Sequence, residues 1–555
     1  MILRRFGALG ALWFLSLSCS NQGFFMSSTA QAATAPIVIT SVGKLQGKVE
    51  DSLHVFKGIP YALPPVGAAR WTPPAAQPAW TGIKKADDFG PACIQPATLV
   101  PNLYTSDIKP TSEDCLTLNI WAPAQATKAP VFVWIHGGAL VKGASKERLY
   151  DGAKLAAQGV IVVSINYRLG VLGYLAHPEL SAESKRGISG NYGLLDQIEA
   201  LRWVKANIAA FGGDPANVTI AGESAGGLSV MYLMASPDAR GLFAKAIAES
   251  AYMISTPELK QSRHGEFAAE AIGQKVAAAL GAPTLTALRA LDANKLTEAA
   301  AAAGYSPFGT IDGQILPKQL VEVFDRHEQA PVPLLAGFNS GEIRSLTFLS
   351  PPKLASATEY ETVIRDRYLD LADDFLRHYP AAQMQESIFA TTRDALYGWT
   401  AEHLVRQQTA LGQPAFLYFF DHGYDAADAA NLHAFHASEI PYVFGTAGRA
   451  PPLWPKVPAT SREARMSDAM IGYWTSFARS GKPHATNEAD WPAFGTTHAY
   501  MNFADTPQAA EHLLPGMYEL HQEAVCRRLA NGTQPWNWNV GIISPKLVQV
   551  KSDCP

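Results

Sequence analysis

The segment Val218-Thr219-Ile220-Ala221-Gly222-Glu223-Ser224-Ala225-Gly226-Gly227 constrains the fold of this 555-residue chain more than any other. Val218, Thr219 and Ile220 favour a strand, and Leu228, Met231, Leu233 and Met234 give the residues that follow an apolar helical face. Between the two the chain must turn sharply. Only very small residues two before and two after Ser224 leave room for that bend, and Gly222 and Gly226 stand there. Ser224 is then expected at a helix N-terminus, where the dipole favours developing negative charge. A strand-turn-helix of the form G-x-S-x-G presents a serine as a nucleophile, which makes Ser224 a candidate for that role with Glu223 beside it.

A serine that attacks a carbonyl also needs N–H donors aimed at the oxygen that becomes negative. The apolar run Pro130–Ile135 ends directly in His136-Gly137-Gly138-Ala139-Leu140, whose small residues let a carbonyl oxygen approach the main chain. The helix-start amide of Ala225 would complete such a donor set. His136 opens the Gly-Gly turn and is expected to brace the loop rather than take part in chemistry.

These two motifs together resemble the type-B carboxylesterase, or cholinesterase-like, branch of the α/β-hydrolases. The likeness extends to Gly58-Ile59-Pro60-Tyr61-Ala62, Pro64-Pro65-Val66-Gly67, Ser112-Glu113-Asp114-Cys115-Leu116, Asn166-Tyr167-Arg168, Gly190-Asn191-Tyr192-Gly193 and Phe211-Gly212-Gly213-Asp214-Pro215. The run from Tyr192 to Ser229 is also similar to secreted bacterial esterases that act on bulky natural esters, including the fumonisin esterases. The resemblance implies a single α/β-hydrolase domain over residues 33–555, with a large, mixed, mostly parallel central sheet flanked by helices. It also implies helical lid-like insertions, for which the Ala-rich stretches Glu266 to Ala303 and Tyr360 to Leu411 are the candidates. The implied activity is carboxylic-ester hydrolysis through an acyl-enzyme, with a small-molecule ester as partner and no cofactor. A hydrolase specialised for an amide, lactone or bulky ester, and a non-catalytic binding protein, are the alternatives.

In the resembled family the triad acid follows a later strand and the base comes later still. Pro333-Leu334-Leu335-Ala336-Gly337-Phe338-Asn339-Ser340-Gly341-Glu342 matches the first segment and points to Glu342; Ala434-Phe435-His436-Ala437-Ser438-Glu439 matches the second and points to His436. Without that frame, Glu342 reads better as a solvated loop carboxylate paired with Arg344 at the surface. His433, three residues before His436, competes for the base role and would suit a metal from one helical face, but no carboxylate or cysteine cluster accompanies it. The resemblance also assigns the loop donors to the amides of Gly138 and Ala139, with Gly137, Gly222, Glu223 and Gly226 supporting. Departures from the family pattern are Ala139 in place of a third glycine, Leu140 in place of an aromatic, and Gly341 and Ile343 around the acid. Ser250 aligns with a serine that supports the triad, and Tyr104, Phe308, Tyr397 and Trp399 lie in the inserted segments expected to build pocket walls, where most are expected simply to be packed.

An apolar content of 48% with 17% charged residues supports a large buried core, and a net charge of −4 without a basic stripe argues against nucleic acid as partner. Arg4-Arg5, an apolar stretch through Leu17 and Ala30-Gln31-Ala32 read as a secretory leader over residues 1–32, so a secreted or periplasmic protein is expected. No later apolar run of about 20 residues offers a membrane span. Cleavage would remove Cys19 and leave Cys93, Cys115, Cys526 and Cys554, an even set with three connectivities. The family resemblance selects Cys93–Cys115, leaving Cys526 with Cys554. It likewise implies the ion pairs Arg70–Glu113 and Arg168–Asp196. Oligomeric state is not written in the sequence.

Overall fold

Hydrophobic runs as continuous as Ala129–Ile135, Ile161–Ile165 and Ala415–Phe420 suit strands covered on both faces, as parallel strands are. The computed structural model, which describes residues 35–98 and 100–548, uses them in that way. Among these residues an eleven-stranded sheet is formed by β1 (Lys48–Glu50), β2 (Leu53–Pro60), β3 (Thr117–Pro123), β4 (Ala129–Ile135), β5 (Ile161–Ile165), β6 (Gly213–Glu223), β7 (Lys245–Glu249), β8 (Leu334–Asn339), β9 (Ala415–Phe420), β10 (Ala499–Phe503) and β11 (Pro507–Glu511). The spatial order is β11-β10-β9-β8-β7-β6-β4-β5-β3-β2-β1. Every neighbour pair from β10 to β5 is parallel, and the pairs at both edges are antiparallel. This is the mixed, mostly parallel sheet of the α/β-hydrolase fold.

Strand alternation divides the core. Val131, Val133 and Ile135 of β4 pack with Leu194, Ile198, Leu228 and Trp399 of the helices Tyr192–Asn207, Ala225–Ala235 and Trp399–Ala410. Phe132 and Trp134 point the other way, into a layer with Met466, Trp474 and Phe477 of the helix Ser461–Ser480. That helix begins where Thr460 accepts the Glu463 N–H and ends at Gly481 in the left-handed region (φ 74°).

Both Ala-rich stretches are helical. The first supplies Ala269–Ala279, Leu285–Ala290 and Ala293–Ala302, which pack with Trp71, Val171 and Leu172. The second runs through Met384–Arg393 into a π-helical turn at Asp394–Gly398 before Trp399–Ala410. Cys93 and Cys115 form a disulfide that closes a 22-residue separation. Arg70 grips Glu113 through Nε and Nη2 at 2.7 and 2.8 Å, and the buried Arg168 grips Asp196 through two bonds of 2.7 Å. The expected leader and Cys554, hence the Cys526–Cys554 pairing, lie outside the described residues. Among the described residues no helix is long and apolar enough to cross a membrane.

Candidate active site

The loops that matter leave the carboxyl ends of neighbouring parallel strands, the edge at which open α/β sheets bind ligands. From β4 the chain passes into His136–Leu140, from β6 into Ser224, from β8 into Glu342, and after β9 it returns to His436.

Ser224 links β6 to the helix Ala225–Ala235 with φ 57° and ψ −121°, a conformation that costs a residue bearing a Cβ and persists only where the surroundings enforce it. They do so here. The Ser224 N–H donates to Glu249 O at 3.0 Å and its carbonyl accepts from the Leu228 N–H at 2.8 Å. A Cβ at Gly226 would come within 2.1 Å of Ile135 O, and one at Gly222 within 2.5 Å of the Gly226 carbonyl carbon. The bend exists because nothing occupies those places.

The His136–Leu140 loop lies against this turn. A Cβ on Gly137 would stand 2.8 Å from Glu223 O and 3.2 Å from Ser224 Cβ. Gly138, Ala139 and Leu140 follow with φ of 100°, 56° and 58°, so that Ala139 holds a left-handed conformation without the freedom of glycine. Gly138 and Ala139 are exposed. Among the described residues, the amides of Gly138, Ala139 and Ala225 donate to no partner, which leaves three donors for an incoming oxygen. His136 is buried, stacks on Tyr167 at 4.5 Å and places Nδ1 2.9 Å from Gly137 O. Burial pushes it down to about 4, as suits a neutral brace for the loop.

Glu342 has 0% exposure and does not pair with Arg344, whose partners are Glu386 and Asn431. The Asn339 N–H donates to Glu342 Oε1 at 2.8 Å, and Glu342 Oε2 takes a short hydrogen bond from His436 Nδ1. Two further bonds join the loops of these residues: the Gly341 N–H donates to Ala434 O at 2.8 Å, and Asn339 Nδ2 to Phe435 O at 2.9 Å. His436 Nε2 approaches Glu223 Oε1 to 3.0 Å without the alignment of a hydrogen bond. The imidazole is therefore clasped between Glu342 and the residue next to Ser224. His433 bonds Asp428 at 2.8 Å with a half-exposed side chain, and the segment is a turn rather than a helix, so the two imidazoles have different partners.

Rings and charges complete the surroundings. Tyr104 and Tyr397 flank the His436 ring at 6.4 and 5.5 Å, and the Tyr104 hydroxyl donates to His436 O at 3.0 Å. Trp399 is fully buried and bonds Gln522 at 2.9 Å, while Phe308 packs at the edge of the main core. Ser250 is buried with φ 43°, its N–H on Gly337 O at 2.9 Å. Two acids that sequence reasoning had not singled out, Glu249 and Glu439, are fully buried close by. Glu249 accepts from Trp474 Nε1 at 2.8 Å and Glu439 from Asn339 Nδ2 at 2.5 Å. Burial pushes Glu223 up to about 7 against the pull of His436 and Glu249 up to about 8, and burial beside the other carboxylates holds Glu439 well above the usual carboxylate range. For His436 burial works downward, but the Glu223 and Glu342 carboxylates outweigh it and hold the imidazole up at about 9. The only sequence cue to Glu439 was its place three residues after His436.

A model of the carboxylesterase family matches residues 34–520 of the chain. Fumonisin B1 esterase of Sphingopyxis macrogoltabida is 35% identical over 535 residues, covering 91% of this chain and 95% of that protein. Para-nitrobenzyl esterase of Bacillus subtilis (strain 168) is 36% identical over 474 residues, covering 83% and 93%. A solved para-nitrobenzyl esterase superposes with a TM-score of 0.76 at 34% identity, covering 88% of this chain and 99% of that one.

Proposed function

Because the chain belongs to the carboxylesterase family and is a carboxylic-ester hydrolase, we propose that it works through Ser224, His436 and Glu342 and an acyl-enzyme. The observation that carries this reading is the short bond from His436 Nδ1 to the buried Glu342, with the opposite nitrogen turned toward the residue beside Ser224.

In the first step Ser224 Oγ bonds to the ester carbonyl carbon while His436 Nε2 takes its proton. The carbonyl oxygen becomes negative and accepts the amides of Gly138, Ala139 and Ala225, which need no rearrangement to receive it. Collapse breaks the carbon–oxygen bond to the alcohol, and His436 returns the proton to that oxygen. A water then repeats the sequence on the acyl-enzyme, with His436 taking a proton from water and giving it back to Ser224 as the acid leaves. Glu342 fixes the tautomer that leaves Nε2 free to accept, and it stabilises the imidazolium that forms twice per turnover.

Hydrolysis of a short-chain p-nitrophenyl ester by the mature protein, with Ser224→Ala prepared alongside, tests the assignment. The variant should lose turnover by a factor of about 10⁴ or more while keeping its fold; equal rates in the two proteins would remove Ser224 as nucleophile. The reading includes a leader over residues 1–32, export, and one hydrolase domain over 33–555. The Cys93–Cys115 bridge supports export, since such bridges persist in oxidising compartments. The mass of the mature N-terminus checks it.

A further inference from the structure

A cavity lined by none of Ser224, His436 or the His136–Leu140 loop, but by Gly341 and Ile343 on either side of Glu342, opens between the Ser340–Arg344 segment and the helices Ala372–His378 and Met384–Arg393. Its volume is about 150 Å³. The charged and titratable side chains on its wall are Arg344, Arg393, His378 and one carboxylate, Glu386, while the carboxylate that balances Arg393, Asp394, lies behind the wall.

The two guanidiniums are held differently. Arg393 is fixed from behind, with Nε on the buried Asp394 at 2.6 Å and Nη1 donating to Ser340 O at 3.1 Å. Its Nη2 makes no hydrogen bond among the described residues. Arg344 donates Nη1 to Asn431 Oδ1 at 3.1 Å, lies over the Phe389 ring at 5.4 Å, and spends Nη2 on Glu386. The Arg344 side chain is 12% exposed, whereas that of Glu386 is 57% exposed. A carboxylate so placed can swing into water, where exposed ion pairs count for little, and leave a guanidinium edge open beside a second one. Guanidinium forks match the paired oxygens of phosphate and carboxylate groups. Gln383 and Ser387 add neutral polar groups to the same wall.

We propose that this cavity binds a small, multiply charged oxyanion of the phosphate or short-dicarboxylate class between Arg344 and Arg393, and that Glu386 is the group it displaces. Binding is read directly, without turnover. Isothermal titration of the mature protein with inorganic phosphate and, separately, with succinate, at an ionic strength fixed by sodium chloride, should give one saturable site in at least one arm. Glu386→Gln removes the internal competitor and should tighten that binding several-fold with ester turnover unchanged; Arg344→Gln should weaken it tenfold or more. Saturation by phosphate alone identifies a tetrahedral oxyanion, and saturation by succinate identifies carboxylates. Unsaturable heats in both arms overturn the proposal, as does binding that Glu386→Gln leaves unaltered. The latter arm decides even where Arg344→Gln fails to fold, because Glu386 is a surface residue.

Discussion

The turn that carries Ser224 and the loop that carries His436 are built in two different ways. On the Ser224 side the geometry is made by main chain pressed on main chain: Gly226 against Ile135 O, Gly137 against Glu223 O, the Ser224 N–H on Glu249 O. On the His436 side it is made by long side chains and buried charge, with Glu342, Glu223, Glu249 and Glu439 all withdrawn from water. The first kind tolerates no added atom but is indifferent to pH. The second has room for isosteric exchange, and its state depends on how many protons the cluster holds.

Glu342→Gln should break the second side most deeply. The amide keeps the volume and an acceptor for the Asn339 N–H, yet it no longer supplies a charge for the imidazolium, and by offering N–H to Nδ1 it favours the wrong tautomer. Losses of about 10³–10⁴ in kcat on a p-nitrophenyl ester are expected, with the melting temperature little changed. Retention of wild-type kcat would transfer the role to another acid, such as Glu223, 3.0 Å from the imidazole.

The first side should break by a different route. In Gly226→Ala the new methyl meets Ile135 O at 2.1 Å, a contact that only a backbone shift relieves. A displacement of about 1 Å at a reacting group costs about 10²-fold in rate, so a loss of that order together with a lower melting temperature is expected. Loss of stability and loss of rate should travel together here, whereas in Glu342→Gln they should separate. If both variants lost rate at unchanged melting temperature, the distinction between the two sides would fail.

The same distinction governs what could be read from the sequence. Gly222, Ser224, Gly226 and the His136-Gly137-Gly138 turn are legible because steric exclusion acts over a few residues and demands particular residue types. The strands of the parallel sheet are legible for a similar reason, as runs covered on both faces. Glu342 and His436 were reached only through likeness to a family, since a carboxylate in a loop looks the same buried or solvated until the chain closes over it. Glu439, Glu249 and Asn339 acquire their meaning from partners on distant elements, such as Trp474 of the helix Ser461–Ser480, 225 residues from Glu249. The helical character of residues 384–410 could be read from the pattern, but the π-helical turn that carries Tyr397 to the His436 ring could not.

Glu223→Gln sharpens the charged side without dismantling it. The Glu223 carboxylate helps to hold His436 up at about 9, and a protonated imidazole cannot take the Ser224 proton. Removing that charge lowers the His436 value, so the ascending limb of kcat/KM should move to lower pH. Stability follows the same sign. A histidine raised above its ordinary 6.5 contributes stability that is complete below that pH and is lost as pH rises through about 9. Glu223→Gln should flatten this alkaline decline. A limb that stays in place would mean that Glu223 is protonated throughout and exerts no charge on the imidazole.

The smallest expected effect lies on the main-chain side, at Ala139. Ala139 holds φ 56°, a conformation that costs a residue with a Cβ roughly 1–2 kcal/mol and glycine almost nothing. Ala139→Gly removes that cost but also frees the unfolded chain, so a net gain of about 1 kcal/mol is expected, measured as a raised denaturation midpoint at unchanged slope. In the proposed mechanism the uncommitted Ala139 amide receives the substrate carbonyl, so the methyl that disappears adjoins that position. The variant should therefore accept bulkier acyl or alcohol groups, seen as a lower KM for larger esters with kcat on a short ester preserved. A gain in stability with no change in ester range would mean that the Ala139 methyl points away from the substrate. A loss of stability would mean instead that contacts of the methyl outweigh the strain of its backbone.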